Sequence, residues 1–299
     1  EVQAGRLDRF GFIDPTEGGS TDRENVDLHW DYTPDPNRHW WLQAYGSRYK
    51  LRLFSNFTFF QDSLVPDPKG PIVDPQGNIA AFCSSTGGWL PLLCTMNCTL
   101  ATELMKQPLA IDNAGFDAAI DAVPAASDGL IVLPFFTGER TPNLPRASAS
   151  VLGLNAENCE KGHLLRATVE GVTYGLRFGL DELRRLGIEA TEIVLTGGGA
   201  NSRIWRQIVA DVCRLPVARL AQDEGASFGA ALQALWALER QHASGRDIAD
   251  VTNEHIVQQP DLACTPDDTT SDRYADGYAA YQRAVAGVAP LFETTGESP

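Results

Sequence analysis

Three consecutive glycines, Gly197-Gly198-Gly199, follow an apolar run and lead through Ala200 and Asn201 into a helical pattern. Glycine leaves the backbone bare, so a flat ring or a phosphate can come close, and a helix start just beyond offers unpaired N–H groups. The same string also reads as a tight strand-to-helix turn with no ligand. It does not complete the dinucleotide fingerprint G-x-G-x-x-G, because Ser202 takes the sixth place. That motif also wants an acid about 20 residues on, at the end of the next strand. Arg219 and Leu220 stand there, and an Arg in that place suits only the 2′-phosphate of NADP. No G-x-x-x-x-G-K-[ST] string occurs, which excludes a P-loop.

A second string, Gly225-Ala226-Ser227-Phe228-Gly229, fits G-x-S-x-G, the turn that raises a nucleophilic serine in α/β-hydrolases. Ser227 would then need an acid followed by a His, and Asp247, Asp250 and His255 are the candidates at short range. The alanine-rich surroundings favour the plainer expectation that Ser227 is a small packing residue. A third string, Thr137-Gly138-Glu139-Arg140, follows an apolar run, and ligands in α/β sheets sit at such strand ends. Glu139 and Arg140 read either as an ionic, loop-fixing pair or as plain exposed charges. The cysteines are Cys83, Cys94, Cys98, Cys159, Cys213 and Cys264, with no C-x-x-C and no zinc-finger spacing. Cys94 and Cys98 are expected on one buried face, and the set suits a reducing, cytoplasmic compartment.

The elements that must position these residues follow from the apolar pattern. Residues 130–134 and 192–196 are short, β-branched runs expected as buried strands, and 216–220 reads as another strand. Residues 78–83 and 89–94 are apolar too, the latter expected as a buried strand. Helices are expected over 99–106, 163–186, 202–213, from about 225, and over 272–291. Gly171, Gly175 and Gly179 share one face of the long helix, each costing about 1 kcal/mol against Ala, which predicts close approach of another backbone. The alternation of strand, loop and helix argues a layered α/β domain. Residues 1–64 differ: they are aromatic, rich in turn signals such as Pro34-Asp35-Pro36-Asn37, and expected as irregular β structure with strands near 49–54 and 57–60.

Composition narrows the classes. The chain has 299 residues, 43% hydrophobic and 21% charged, with 24 Lys plus Arg against 39 Asp plus Glu, a formal charge of −15. These are globular values. A balance this acidic lacks the footprint of a nucleic-acid binder. No window approaches the ~20 apolar residues of a membrane span. The first residues carry no signal-peptide pattern. The chain opens on Glu1 rather than Met, which suits a processed or truncated product.

Several of these strings, taken in order, resemble the FGGY carbohydrate kinases, the xylulokinases in particular. They are the run from Leu133 through Phe136 and Thr137 to Pro142, and Ala149-Ser150-Val151-Leu152-Gly153-Leu154 followed by the segment from His163 to Glu170. Thr196-Gly197-Gly198-Gly199-Ala200-Asn201-Ser202 with Trp205, Arg206, Gln207 and Asp211 is similar to that family's adenosine motif, and residues 225–231 to the helix beneath it. Residues 81–83 and 89–100 resemble its cleft-crossing segment. The likeness covers about residues 65–295.

The resemblance implies an actin-like, ribonuclease H-like ATPase fold, with 65–295 as the C-terminal, adenosine-binding domain and 1–64 outside it. It implies ATP and Mg2+ as cofactors, and a ketose, D-xylulose, phosphorylated in the cytoplasm. By motif, Gly197, Gly198, Gly199 and Ala200 would face the adenosine. Asn201 and Arg203 would meet ribose or base, and Asn97 and Ala101 would lie across the base. Thr137, Gly138, Glu139 and Arg140 would brace a loop near the phosphates. The family's D-x-G-T turn, its G-D-N or G-D-Q string with the proton-accepting Asp, and its G-T-S turn are absent from this chain. No residue is therefore assigned as catalytic base and none as metal ligand. The expectation is a nucleotide-holding lobe with little turnover of its own; a non-catalytic nucleotide-binding or interaction module is the alternative. A homodimer through a cleft face left open by the absent lobe is also expected.

Overall fold

The computed structural model describes residues 18–35, 38–54, 74, 76–83, 89–221, 225–241 and 246–292. The chain divides into two compact units, Glu1–Val65 and Pro66–Pro299.

In the first unit, β1 (Gly18–Asp35) and β2 (Arg38–Phe54) form an antiparallel ribbon, from Gly18 opposite Phe54 to Asp35 opposite Arg38. The register slips between Tyr32 and Asp35, at the Pro-Asp-Pro-Asn turn signal. The pairing is regular where irregular structure was expected. Alternation places Leu28, Trp30 and Tyr32 on one face, with Leu42 opposite Trp30; the Trp30 and Tyr32 rings stack with centroids 5.7 Å apart. The strand expected near 49–54 is the end of β2, and the one near 57–60 lies outside the described residues.

The second unit begins with a hairpin of β3 (Ile79–Cys83) and β4 (Trp89–Leu93). Next come α1 (Thr99–Leu109) and α2 (Asn113–Asp121), then the antiparallel pair β5 (Ile131–Leu133) and β6 (Ser150–Leu152). The long helix α3 (Lys161–Arg185) follows. β7 (Ile193–Leu195), α4 (Arg203–Cys213) and β8 (Val217–Arg219) make a strand–helix–strand unit whose strands pair in parallel. The described chain ends with α5 (Gly225–Gln241), α6 (Ile248–His255) and α7 (Asp268–Val288). The α/β class read from the sequence holds.

Helix α3 is the spine of this unit, and its glycines explain why. A Cβ on Gly171 would lie 2.0 Å from the Val132 carbonyl oxygen of β5, and one on Gly179 would lie 2.3 Å from the Leu93 side chain of β4. The backbone approach predicted from the glycine spacing is thus real at Gly171, whereas Gly179 admits a side chain. One turn before Gly171, Arg166 and Glu170 form a buried pair at 2.8 Å. Arg166 also donates to the Ile120 carbonyl at the end of α2 and to the Tyr274 hydroxyl of α7. Tyr174 packs against Tyr274, Tyr278 and Tyr281, binding α7 onto α3.

Three expectations change. Helix α2 was not anticipated; Asp112 caps it by accepting from Gly115 N at 2.8 Å, and Phe116 and Ile120 supply its buried stripe. The apolar runs of β4 and β7, expected as buried strands, are not buried on both faces: Leu90 is 56% exposed and Val194 42%, and Phe82 of the paired β3 is 48% exposed. The hairpin turns Ile79 and Leu93 inward, so the alternate residues face out. Cys94 and Cys98 do not share a buried face, for Cys94 follows β4 and Cys98 precedes α1, both half-buried. Burial pushes the Cys98 thiol up from its ordinary value.

Candidate functional site

At the end of β7 the chain turns at Gly197, whose φ of 81° lies in the left-handed region that glycine takes cheaply. Gly198–Asn201 form a single 3-10 turn, and Ser202 caps α4 by accepting from Trp205 N at 3.0 Å. A Cβ on Gly198 would meet nothing within 4 Å, while one on Gly199 would press on the Trp205 ring at 3.1 Å. The turn is therefore propped from behind by an indole and open in front. Arg206 stiffens it further, its Nη1 donating to the Ala200 carbonyl at 2.6 Å and its Nε to the Leu262 carbonyl at 3.1 Å.

A cavity of about 500 Å3 lies before this turn. Gly198, Gly199, Asn201, Ser202 and Trp205 form one wall; Asn113, Phe116 and Asp117 of α2 form another. Helix α1 contributes Thr99, Thr102, Glu103 and Lys106, a spacing of three, four and seven that puts all four on one helical face. Lys106 Nζ is 2.6 Å from Glu103 Oε1 and hydrogen-bonds to Asn113 Oδ1, tying α1 to α2. It also lies 5.6 Å from the centroid of the Phe116 ring. Ser202 Oγ donates to Asp117 Oδ1 at 2.5 Å, and Phe116 packs on Trp205 with centroids 6.2 Å apart. These contacts hold α2 against the start of α4.

The expected site residues do not all meet here. Gly198, Gly199 and Asn201 line the cavity, and Gly197 is exposed beside them. Ala200 is buried behind the turn, and Arg203 is exposed on α4 away from the lining. Asn97 and Ala101 are buried and do not line it. Ala101 faces the core, one step round α1 from the cavity face. Asn97 fixes the 137–140 loop: its Nδ2 donates to Gly138 O at 2.5 Å and to Glu139 Oε2 at 3.1 Å, and its Oδ1 accepts from Thr137 N at 3.2 Å. Glu139, 5% exposed, also accepts from Met96 N and Arg140 N. Glu139 thus braces the loop while the Arg140 side chain is exposed.

Asp211 acts as a tie. Its Oδ1 accepts from Gln207 Nε2 and from Asp267 N at the start of α7, and burial pushes its carboxyl up. Ser227 is exposed on α5 rather than packed, as its alanine-rich surroundings had suggested. The two acids expected to partner it are committed elsewhere, since Asp247 and Asp250 form the capping box of α6. Among the described residues no group of three or more His, Cys, Asp or Glu is placed to hold a metal ion.

The sequence missed Glu103, Lys106, Phe116 and Asp117. The signal for α1 was its polar spacing, and for α2 an Asp cap followed by Phe116 and Ile120 four apart.

The model of the FGGY family of carbohydrate kinases, C-terminal domain, matches residues 61–238. A xylulose kinase of Haemophilus influenzae is 43% identical over 167 residues, which are 56% of this chain and 34% of that protein. A xylulose kinase of Streptomyces rubiginosus is 34% identical over 223 residues, 74% of this chain and 42% of that protein. The crystal structure of xylulose kinase from Bifidobacterium adolescentis superposes with a TM-score of 0.59 and 31% identity, over 70% of this chain and 40% of that one. The chain therefore spans less than half the length of each of these relatives. Among the described residues no helix is long and apolar enough to cross a membrane.

Proposed function

The chain belongs to the FGGY family of carbohydrate kinases, and on that premise we propose that it is the nucleotide-holding part of an ATP-dependent ketose kinase, one that converts D-xylulose to D-xylulose 5-phosphate. The observation that carries the reading is the bare backbone of Gly198, open onto a cavity whose volume, about 500 Å3, suits a nucleoside. In this reading the adenosine lies against Gly198 and Gly199, between the turn and the α1–α2 wall.

Phosphoryl transfer asks the protein chiefly for positioning and charge stabilisation. The sugar hydroxyl oxygen attacks the γ-phosphorus, the bond to the ADP oxygen breaks, and the hydroxyl proton passes to a base. This chain's part is to anchor and orient ATP; the turn, its Trp205 prop and the Arg206 clamp serve that end. No residue is assigned as base, because no string of the family's proton-accepting type occurs in the chain. Mg2+ would enter with the nucleotide and supply charge neutralisation at its phosphates, a role that needs no more than one or two protein carboxylates.

The missing acid string also favours a second reading, nucleotide binding without turnover. Calorimetric titration with ADP–Mg2+ beside a D-xylulose phosphorylation assay separates the two. Binding with no turnover selects the second, binding with turnover the first, and no binding overturns both. Self-association as a homodimer is part of the proposal, supported by the outward face of the β3–β4 hairpin, where Phe82 and Leu90 stand opposite each other and exposed.

A further inference from the structure

We propose that Asp117 receives the ribose of the bound nucleotide and makes the cavity select ribonucleotides over their 2′,3′-dideoxy forms. This rests on the nucleotide reading above and adds a residue that no family string carried to this site.

Asp117 sits on α2 beside Phe116 and lines the same cavity as Gly198, Gly199 and Asn201. Its Oδ1 is committed: Ser202 Oγ donates to it at 2.5 Å, and Ser202 is itself fixed by accepting from Trp205 N at 3.0 Å. One hydroxyl thus caps α4 with its lone pair and holds Asp117 with its proton. The carboxylate rides on two helices, α2 being pinned at its start by Asp112 and at its end by Arg166. It is therefore presented in one orientation rather than swinging in solvent. Its Oδ2 has no protein partner among the described residues.

An ionised carboxylate only accepts hydrogen bonds. What Asp117 offers the cavity is an acceptor with negative charge, next to the N-terminus of α4, whose dipole favours a carboxylate there. Phosphate oxygens are repelled from such a group; the parts of the nucleotide with protons to give it are the adenine amino group and the ribose hydroxyls. A vicinal diol supplies hydroxyl donors directly, and in a nucleotide the diol lies beside the base that rests on the glycine turn. A hydrogen bond to a charged acceptor, lost in the deoxy analogue, carries enough energy to discriminate strongly.

The test is calorimetric titration of the full chain with ADP and with 2′,3′-dideoxy-ADP, for the wild type, Asp117→Asn and Asp117→Ala. The wild type is expected to bind ADP at least about tenfold more tightly than the dideoxy form. Asp117→Asn keeps an acceptor for Ser202, so its melting temperature stays near wild type while the discrimination falls below about threefold. Asp117→Ala loses both the clasp and the discrimination, melting lower. Equal wild-type affinity for the two nucleotides, or tenfold discrimination persisting in Asp117→Asn, overturns the assignment while leaving the nucleotide reading intact. An equal loss of affinity for both nucleotides in Asp117→Asn assigns the carboxylate to the base and also overturns it. A wild type that binds neither nucleotide overturns this inference together with the reading it rests on.

Discussion

The Asn97 amide donates to Glu139 Oε2 at 3.1 Å across 42 residues of chain, and both side chains are almost wholly buried. The family likeness put Asn97 across a base and Glu139 in a loop braced near the phosphates; their mutual bond makes the two partners in bracing that loop. Removing the Glu139 carboxylate strands the part-buried Met96 N and Arg140 N and takes one bond from the buried Asn97 amide, a donor left unpaired and cut off from water costing about 1–3 kcal/mol. Glu139→Ala is expected to destabilise the second unit by about 2–4 kcal/mol in urea titration, with ADP affinity of the remaining folded protein near wild type. An intact fold with abolished ADP binding would return Glu139 to the nucleotide.

Gly171, Gly175 and Gly179 of α3 make a graded series. Gly171→Ala would drive a Cβ to 2.0 Å from a backbone oxygen on a packed strand, which cannot yield; a loss of about 3 kcal/mol or more is expected. Gly179→Ala meets Leu93 methyl groups at 2.3 Å, a side chain that can rotate away, for about 1–2 kcal/mol. Gly175→Ala meets only the Tyr281 hydroxyl at 3.7 Å, ordinary contact, and gains about 0.5–1 kcal/mol from helix propensity. Thermal melts of the three variants should fall in that order; equal losses would mean that packing on this face is not set by clearance.

That series also shows what the sequence carries and what it does not. Helix α3 was legible because twenty-odd residues of 3.6-residue periodicity average out local noise, and the glycine spacing pointed at a close approach. The glycine turn was legible because its chemistry is local. Helix α2 was not: nine residues with Gly115 near the start give a weak periodic signal, and with it Phe116 and Asp117 went unseen. The burial of β4 and β7 was overestimated because an apolar run records what a strand is suited to, whereas burial needs a neighbour on each face. Ser227 erred the other way, since small size was read as packing on a helix where only Leu232 is buried.

Asp74 provides a pH signature. Burial pushes its carboxyl up, but Arg185 Nη2 at 2.6 Å and backbone N–H groups of Ile79, Gln76 and Asn78 outweigh this and hold it below the ordinary 3.8. A carboxyl lowered in the folded state contributes its stability in full above the unfolded value and loses it as pH falls through the folded one. Asp74→Asn should therefore melt below wild type at neutral pH, and the gap should close below about pH 3.8, the unfolded value. A gap constant from pH 7 to pH 3 would show that the variant loses packing and not charge.

Gly198 and Gly197 separate backbone contact from backbone strain. A side chain at Gly198 has open space before it and no left-handed φ to oppose it, so Gly198→Leu should leave the melting temperature close to wild type. That side chain would nevertheless occupy the cavity where a purine would lie on the turn, and ADP affinity should fall about tenfold or more, the scale on which a filled contact surface discriminates. Gly197→Ala also meets no atom within 4 Å, but its φ of 81° costs an L-residue about 1–2 kcal/mol. It should lower the melting temperature while changing ADP affinity little. If both variants bind ADP as the wild type does, the purine does not rest on this turn. If both lose binding in proportion to stability, the turn serves folding alone. The expected crossed pattern, affinity lost at one glycine and stability at its neighbour, is the outcome that bare backbone serving as a binding surface requires.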